Sequence, residues 1–182
     1  MPYAVVLDAC VLHPAHLRDT LLRLSERELF QPLWTSEILA ELERSLTRRE
    51  VSPQSARRLV ETMESAFESA MVRGFEPLVD SMTCEPKDRH VLAAAVHGDA
   101  GAIITFNVRD FPQDSLQPHS IDVIHPDDFL LDALDLAPST VIEELRQQAD
   151  ANQISPRTLF EILEALGTAG SPRFADEIRR RL

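Results

Sequence analysis

Close to the N-terminus, Tyr3-Ala4-Val5-Val6-Leu7 is an apolar run with no polar alternation, and it stops at Asp8. A strand with one wet face alternates polar and apolar side chains. A strand that is apolar at every position needs cover on both faces, as in a parallel sheet held between helices. Ala102-Ile103-Ile104-Thr105-Phe106 reads as another buried strand, and Ile121-Asp122-Val123-Ile124 reads as a last short strand. Phe30 to Trp34, interrupted by Pro32, reads as one more short strand.

The stretches between these runs carry helical spacing. Pro14 suits a first helical turn, and Leu17, Leu21, Leu22 and Leu24 line a helix to about Glu26. Ser36 is the expected N-cap of a helix from Glu37 to about Thr47, with Ile38, Leu39, Leu42 and Leu46 as its apolar stripe. Ser52-Pro53 opens a helix that Gly74 is expected to close, and Phe75 to Val79 reads as a weak strand or loop. Pro86 precedes a helix from about Lys87 to His97. Strands and helices thus alternate as far as Ile124, the pattern of an α/β fold with parallel strands and right-handed crossovers.

Beyond Pro126 the strand signals vanish. Helices are expected over 127–136, from Thr140 to about Ala151 with a Thr140/Glu143 capping box, from Ser155-Pro156 to Gly167, and from Pro172, with Phe174, Ile178 and Leu182 on one face. The chain therefore divides into an α/β unit, residues 1–136, and an all-helical extension, residues 137–182.

Composition narrows the function classes. Of 182 residues, 44% are apolar and 26% charged, which is a globular composition, and the formal charge is −12. So acidic a chain does not hold nucleic acid by a general basic surface, and its C-terminal extension is also net acidic. Hydrolytic metal sites are themselves built from carboxylates, so a nuclease is not excluded. Cys10 and Cys84 make neither a disulfide framework nor a zinc knuckle. No segment reaches the ~18–20 apolar residues of a membrane span, and Asp8 inside the first apolar run does not suit a signal peptide. A cytoplasmic location is expected.

In open α/β sheets, ligands sit beyond the carboxyl ends of the strands. Asp8 follows the first buried run, and Asn107 and Asp110 follow the Ala102–Phe106 run. Asp88 lies in a first helical turn, where the dipole favours an anion. In the helix after Ser36, Glu37 points nearly opposite the apolar stripe, while Glu41 and Glu43 flank it, and the helical wheel does not choose between those two. Carboxylates gathered in one cleft repel one another unless some are protonated or a cation sits among them. Oxygen ligands suit Mg²⁺ or Mn²⁺ rather than zinc. His13 and His16 have no third ligand in a recognisable motif and read as a solvated helix start. No nucleophile-elbow motif and no Gly-rich phosphate loop is present.

Four segments carry a resemblance: Val5-Val6-Leu7-Asp8, the stretch from Ser36 to Leu42, the stretch from Pro86 to Ala95, and the stretch from Ile103 to Pro112. In their order and spacing, the chain resembles a PIN-domain ribonuclease of the VapC toxin type over residues 1 to about 130. The resemblance implies a three-layer α/β fold with a central parallel sheet. It also implies Mg²⁺-dependent endoribonuclease activity (with Mn²⁺ as substitute) and the toxin role in a type II toxin–antitoxin pair. The implied catalytic and metal-binding acids are Asp8, Glu41, Asp88 and a fourth residue from the Thr105-to-Asp110 segment. The family pattern thus selects Glu41 over Glu43.

One departure stands out. Many PIN domains carry Asp two residues past the strand-end threonine, where this chain has Asn107. Asp110 is then the candidate fourth carboxylate, and the choice between Asn107 and Asp110 stays open. Thr105 is a supporting candidate, able to orient Asp8 or a water through its hydroxyl. RNA and a small cognate antitoxin are the implied partners, with a homodimer left open. RNA contact falls to arginines near the acids, Arg89 and Arg109, with Arg44, Arg48, Arg49, Arg57 and Arg58 as further candidates. Two rivals remain. A non-catalytic PIN-like protein-binding module is favoured by Asn107 and the net charge. A Mg²⁺ phosphatase of the haloacid-dehalogenase type wants Asp-x-Asp, which Asp8-Ala9-Cys10 lacks.

Overall fold

The computed structural model describes residues 3–49, 51–151 and 158–182. Four strands, β1 (Ala4–Leu7), β2 (Gln31–Leu33), β3 (Ala102–Ile104) and β4 (Asp122–Ile124), form one parallel sheet in the order β2-β1-β3-β4. Val5, Val6, Leu7, Ala102, Ile103 and Ile104 are wholly buried. This is the two-sided cover that their unbroken apolar character demands. The chain leaves β1 for β2 on one side and later returns across β1 to β3 on the other. The sheet's switch point therefore lies between β1 and β3, where α/β folds open a crevice at the strand ends.

Helices α1 (Ala9–Leu12) and α2 (Ala15–Glu26) follow β1, and α3 (Ser36–Thr47), α4 (Pro53–Ala66) and α5 (Arg89–His97) lie between β2 and β3. The cap of α3 is Thr35, one residue before the expected Ser36. Thr35 is extended and buried, and its hydroxyl accepts the Ile38 N–H at 3.1 Å. Helix α4 ends at Ala66, well short of Gly74. Phe67 breaks from helical geometry and sets its ring edge-on to Trp34, with centroids 5.7 Å apart. Trp34 and Met71 then form a parallel bridge that lengthens the sheet edge. Residues 76–81 form a 3₁₀ turn rather than a strand, and 86–88 form another that leads into α5. Alanines 93, 94 and 95 of α5 are fully buried, and their small size lets α5 lie directly on β1 and β3.

Strand β3 is shorter than expected, ending at Ile104, and a short helix, α6 (Gln113–Leu116), precedes β4. The C-terminal part is helical as expected: α7 (Pro126–Leu136), α8 (Pro138–Asp150), α9 (Leu159–Thr168) and α10 (Pro172–Arg181). The expected capping box at Thr140/Glu143 is not formed, because α8 already starts at Pro138 and Thr140 lies inside its first turn. The reciprocal box belongs to Thr158 and Glu161 at the start of α9. Ser155 and Pro156 lie outside the described residues. Helix α9 runs one residue past Gly167. The following turn uses Gly170 at φ +109°, where a Cβ would meet the Phe106 ring at 2.6 Å. Leu182 is exposed and does not extend the buried face of Phe174 and Ile178.

The extension is welded to the α/β unit by buried polar contacts. Thr20 of α2 donates to the Gln148 side chain at 2.7 Å, and Gln148 donates to the His16 carbonyl at 3.0 Å. Buried Glu144 of α8 is paired with Arg27, whose guanidinium reaches across from the end of α2. Asp127 of α7, 3% exposed, accepts the Phe174 N–H at 2.9 Å, the Arg173 N–H at 3.2 Å and the Arg173 Nε at 3.1 Å. It therefore satisfies the free amides at the start of α10. Replacing Asp127 with Ala would strand the buried Phe174 N–H and release the Arg173 donors. The expected loss is about 2–4 kcal/mol of unfolding free energy, measured by urea denaturation with the fold retained.

Candidate active site

Parallel pairing sets Leu7 opposite Ile104, so β1 and β3 end side by side. The Asp8 N–H donates to the Ile104 carbonyl at 3.1 Å, which extends the ladder by one step and fixes the backbone from which the carboxylate projects. The Asp8 side chain is 5% exposed. Thr105, fully buried just past β3, donates its hydroxyl to Asp8 Oδ2 at 2.7 Å. The same hydroxyl accepts the Asn107 N–H at 3.0 Å, so the turn after β3 is tied to the carboxylate through one oxygen.

Cys10 also reaches this group, with Sγ 3.3 Å from both Asp8 Oδ2 and Thr105 Oγ1, and it accepts the Phe106 N–H. Burial first, then the Asp8 charge, pushes the Cys10 thiol up to about 12. It stays protonated at neutral pH and acts as a donor to the carboxylate, not as a nucleophile.

Asp88 comes from the 3₁₀ turn before α5 and is 8% exposed. Its Oδ2 is buried without a hydrogen-bond partner. The Lys87 ammonium is 3.7 Å away, beyond hydrogen-bond reach, and is bound instead to Asp110 Oδ2 at 2.8 Å. Burial pushes the Asp88 carboxyl up, Lys87 opposes this, and the charges of Asp8 and Asp110 add to the rise. The result is a pKa of about 6. Asp110 is shifted the other way, held below the usual carboxylate range by its hydrogen bond to Lys87. Three segments thus bring Asp8, Asp88 and Asp110 into one electrostatic neighbourhood.

Glu41 of α3 faces a different neighbour. Its Oε1 is 3.1 Å from Nε2 of His90, while Oε2 of Glu37, one turn earlier, is 3.7 Å from Nδ1 of the same ring. Burial disfavours charge on His90, but Glu41 and Glu37 outweigh it and raise the imidazole above its ordinary pKa, with a further contribution from Asp8. The structure separates the two glutamates that the helical wheel left tied. Glu41 points to His90, and Glu43 points to Arg57 on α4 at 3.7 Å. Asn107 and Arg109 are exposed in the loop after β3. Arg89 is half-buried and donates to the Cys84 carbonyl at 3.4 Å. Among the helix-start histidines, His13 is not simply solvated, because its Nδ1 lies 2.8 Å from the Ser45 hydroxyl.

Lys87, Cys10 and His90 were not among the candidate residues read from sequence, and Glu37 was weighed but set aside because it points away from the apolar stripe. Lys87 carried a signal, being the only lysine in the chain and adjacent to Asp88. Glu37 carried one too, standing four residues before Glu41 on the same helix. Cys10 and His90 carried none, because Thr105 and the α3 glutamates come from distant segments.

The candidate ligand atoms of Asp8 and Asp88 are carboxylate oxygens, and among the described residues Asp88 Oδ2 is buried with no hydrogen bond, its nearest charge being the Lys87 ammonium at 3.7 Å. That combination fits a hard divalent cation.

The PIN domain family model matches residues 4–109, more than half of the chain. The VapC50 C-terminal domain model matches residues 126–180, a stretch that takes in α7 as well as α8 to α10. The chain is 43% identical over 112 residues to a Mycobacterium tuberculosis protein named "Putative ribonuclease VapC50", a match spanning 62% of this chain and 66% of the relative. No solved structure matches the chain.

The raised Asp88 carboxyl has a measurable consequence. A carboxyl whose folded pKa lies above its unfolded value binds its proton more tightly in the native state. Stability is therefore lost as pH rises through the window from about 4 to 6. In metal-free buffer with a chelator, Asp88→Asn should raise stability at pH 7.5 by on the order of 2 kcal/mol. The gain should shrink to nothing by about pH 4, as read by denaturant unfolding at both pH values.

Proposed function

Because this chain belongs to the PIN-domain family, we propose that it is a Mg²⁺-dependent endoribonuclease and the toxin of a type II toxin–antitoxin pair. The observation that supports the reading is that Asp8, at the strand ends beside the switch point, is near enough for its charge to raise the Asp88 carboxyl, whose Oδ2 is buried with no hydrogen-bond partner among the described residues. The ribonuclease named in the relative supports RNA as the substrate. In this reading residues 1–136 form the nuclease unit and 137–182 the helical extension, and the protein acts in the cytoplasm. Among the described residues no helix is long and apolar enough to cross a membrane.

Asp8 and Asp88 would be the principal residues holding Mg²⁺, for which Mn²⁺ can substitute, and Glu41 and Asp110 would complete the acidic set. When bound, the cation neutralises these acids, lowers the pKa of a water, and stabilises charge on a phosphodiester. The other duties belong to the chain's own side chains. Thr105 holds Asp8 in one rotamer through a 2.7 Å hydrogen bond, and Cys10 donates to the same oxygen. These two donors orient Asp8 without adding charge. Lys87 keeps Asp110 ionised and swung toward Asp88. Asn107 supplies its N–H to Thr105 and leaves its exposed amide free for a phosphate or sugar oxygen. Arg109 in the same loop is the leading RNA contact. Arg89, partly engaged with the Cys84 carbonyl, is the secondary one.

A small cognate antitoxin is the expected protein partner. It would block this edge by placing an arginine among the carboxylates, as Lys87 does from within the chain.

Asp8→Asn keeps shape and removes charge. It should lower Mg²⁺-supported RNA cleavage by roughly 10²–10⁴-fold while thermal unfolding remains cooperative. Wild-type cleavage by this variant would remove Asp8 from the catalytic set, whereas no Mg²⁺-supported cleavage by the unaltered protein would point instead to a non-catalytic binding module. Arg109→Ala should weaken RNA binding and lower the slope of log affinity against log salt by ~1, with Mg²⁺ affinity unchanged. Filter binding at several salt concentrations reads both quantities, and an unchanged slope would move the RNA path elsewhere.

A further inference from the structure

The first two turns of α3 and the start of α5 face each other through Glu37, Glu41 and His90. Glu37 and Glu41 are four residues apart and so lie on one side of α3, a spacing at which like charges repel. Among the described residues neither glutamate is ion-paired with an arginine or lysine; both turn to His90. His90 is 5% exposed, and both of its ring nitrogens are buried without an aligned hydrogen bond, although carboxylate oxygens stand at 3.1 and 3.7 Å. A buried imidazole that reaches two carboxylates without bonding well to either is missing a partner.

One nitrogen and two carboxylate oxygens lie within 4.8 Å of one another. Ligands about 2.0–2.2 Å from a shared ion, at angles between 90° and tetrahedral, sit roughly 3.0–3.5 Å apart. The His90–Glu41 separation of 3.1 Å already meets this. Glu37 has a half-exposed side chain on an exposed helix face and can close the remaining gap by rotamer adjustment.

We propose that Glu37, Glu41 and His90 form a second divalent-cation site, selective for an imidazole-accepting ion such as Zn²⁺ over Mg²⁺. Zinc takes His nitrogen and Glu oxygen together, whereas Mg²⁺ favours oxygen alone and parts reluctantly with its waters. The site borrows Glu41 from the all-oxygen set proposed above and to that extent rests on that reading, but its existence does not require RNA cleavage. With three protein ligands it keeps a position open for water. Because Glu41 serves both sets, an ion here holds that carboxylate beside His90, where it already stands, and so competes for it with the strand-end acids.

The test uses the full, tag-free chain stripped of metal, with Co²⁺ as a spectroscopic stand-in for Zn²⁺. Wild-type protein and Asp8→Asn should both bind Co²⁺ with visible absorption stronger than that of the aqueous ion. Both should also show a hyperfine-shifted imidazole N–H proton in the NMR spectrum. Glu37→Gln and His90→Asn should each lose the shifted proton and weaken Co²⁺ binding at least ~10-fold, as should Zn²⁺ binding by calorimetry. Glu37 is at the surface, so Glu37→Gln remains informative if the buried His90 variant fails to fold. Unchanged Co²⁺ affinity in Glu37→Gln would overturn the site, and so would loss of the imidazole signal in Asp8→Asn. The ribonuclease reading fails by a different result, no RNA cleavage by the wild-type protein in Mg²⁺, so the two failures are distinguishable.

Discussion

Thr105 gives its hydroxyl proton to Asp8 across the ends of two adjacent parallel strands, and much of the molecule is arranged so that this contact can exist. An ionised carboxylate at the end of a fully buried strand is costly unless its oxygens are satisfied. Here the main chain extends the ladder to Asp8, Thr105 and Cys10 donate to one oxygen, and the Asn107 amide in turn fixes Thr105. None of these donors carries charge. The arrangement holds Asp8 in place without neutralising it, which leaves its charge available to a cation.

The second acid is handled differently. Asp88 receives no donor on Oδ2, and its carboxyl is pushed up to about 6 by burial and by its acidic neighbours, against Lys87. The free energy lost by crowding these acids has to come from elsewhere in the fold. The apolar sheet, the small-residue face of α5 on β1 and β3, and the helical extension are the sources at hand. The extension contributes more than cover. Its α8 engages α2 through Thr20–Gln148 and Arg27–Glu144, and the Gly170 turn presses on Phe106, the residue after Thr105. Packing of the last helices is thereby coupled to the loop that carries Thr105, Asn107 and Arg109.

Helix α3 serves two neighbourhoods. Its apolar stripe, Ile38, Leu39, Leu42 and Leu46, is buried, and that orientation places Glu41 toward α5 while Glu43 turns toward α4. His90 approaches Glu41 and also feels the charge of Asp8, which ties the α3 glutamates electrostatically to the strand-end acids.

Periodicity alone determined the class of the fold. Short unbroken apolar runs bounded by turn signals read as strands covered on both faces, and 3.6-residue stripes read as helices with one buried side, so a parallel α/β sheet followed by helices was legible from residue order. The acids at strand ends were legible too, because the chain must leave a parallel sheet at those points. Boundaries were less so. Thr35 rather than Ser36 caps α3, and α4 stops at Phe67, because burial of Trp34 and its ring contact outweigh local propensity. What only tertiary structure decided was which side chains meet. The helical wheel left Glu41 and Glu43 tied, and packing of α3 against α5 and α4 separated them. Cys10 beside Thr105, Lys87 bridging toward Asp110, and His90 between Glu37 and Glu41 join residues up to 95 positions apart. Hydrogen bonds and charge interactions act over a few ångströms of space, a distance that spacing along the chain does not encode.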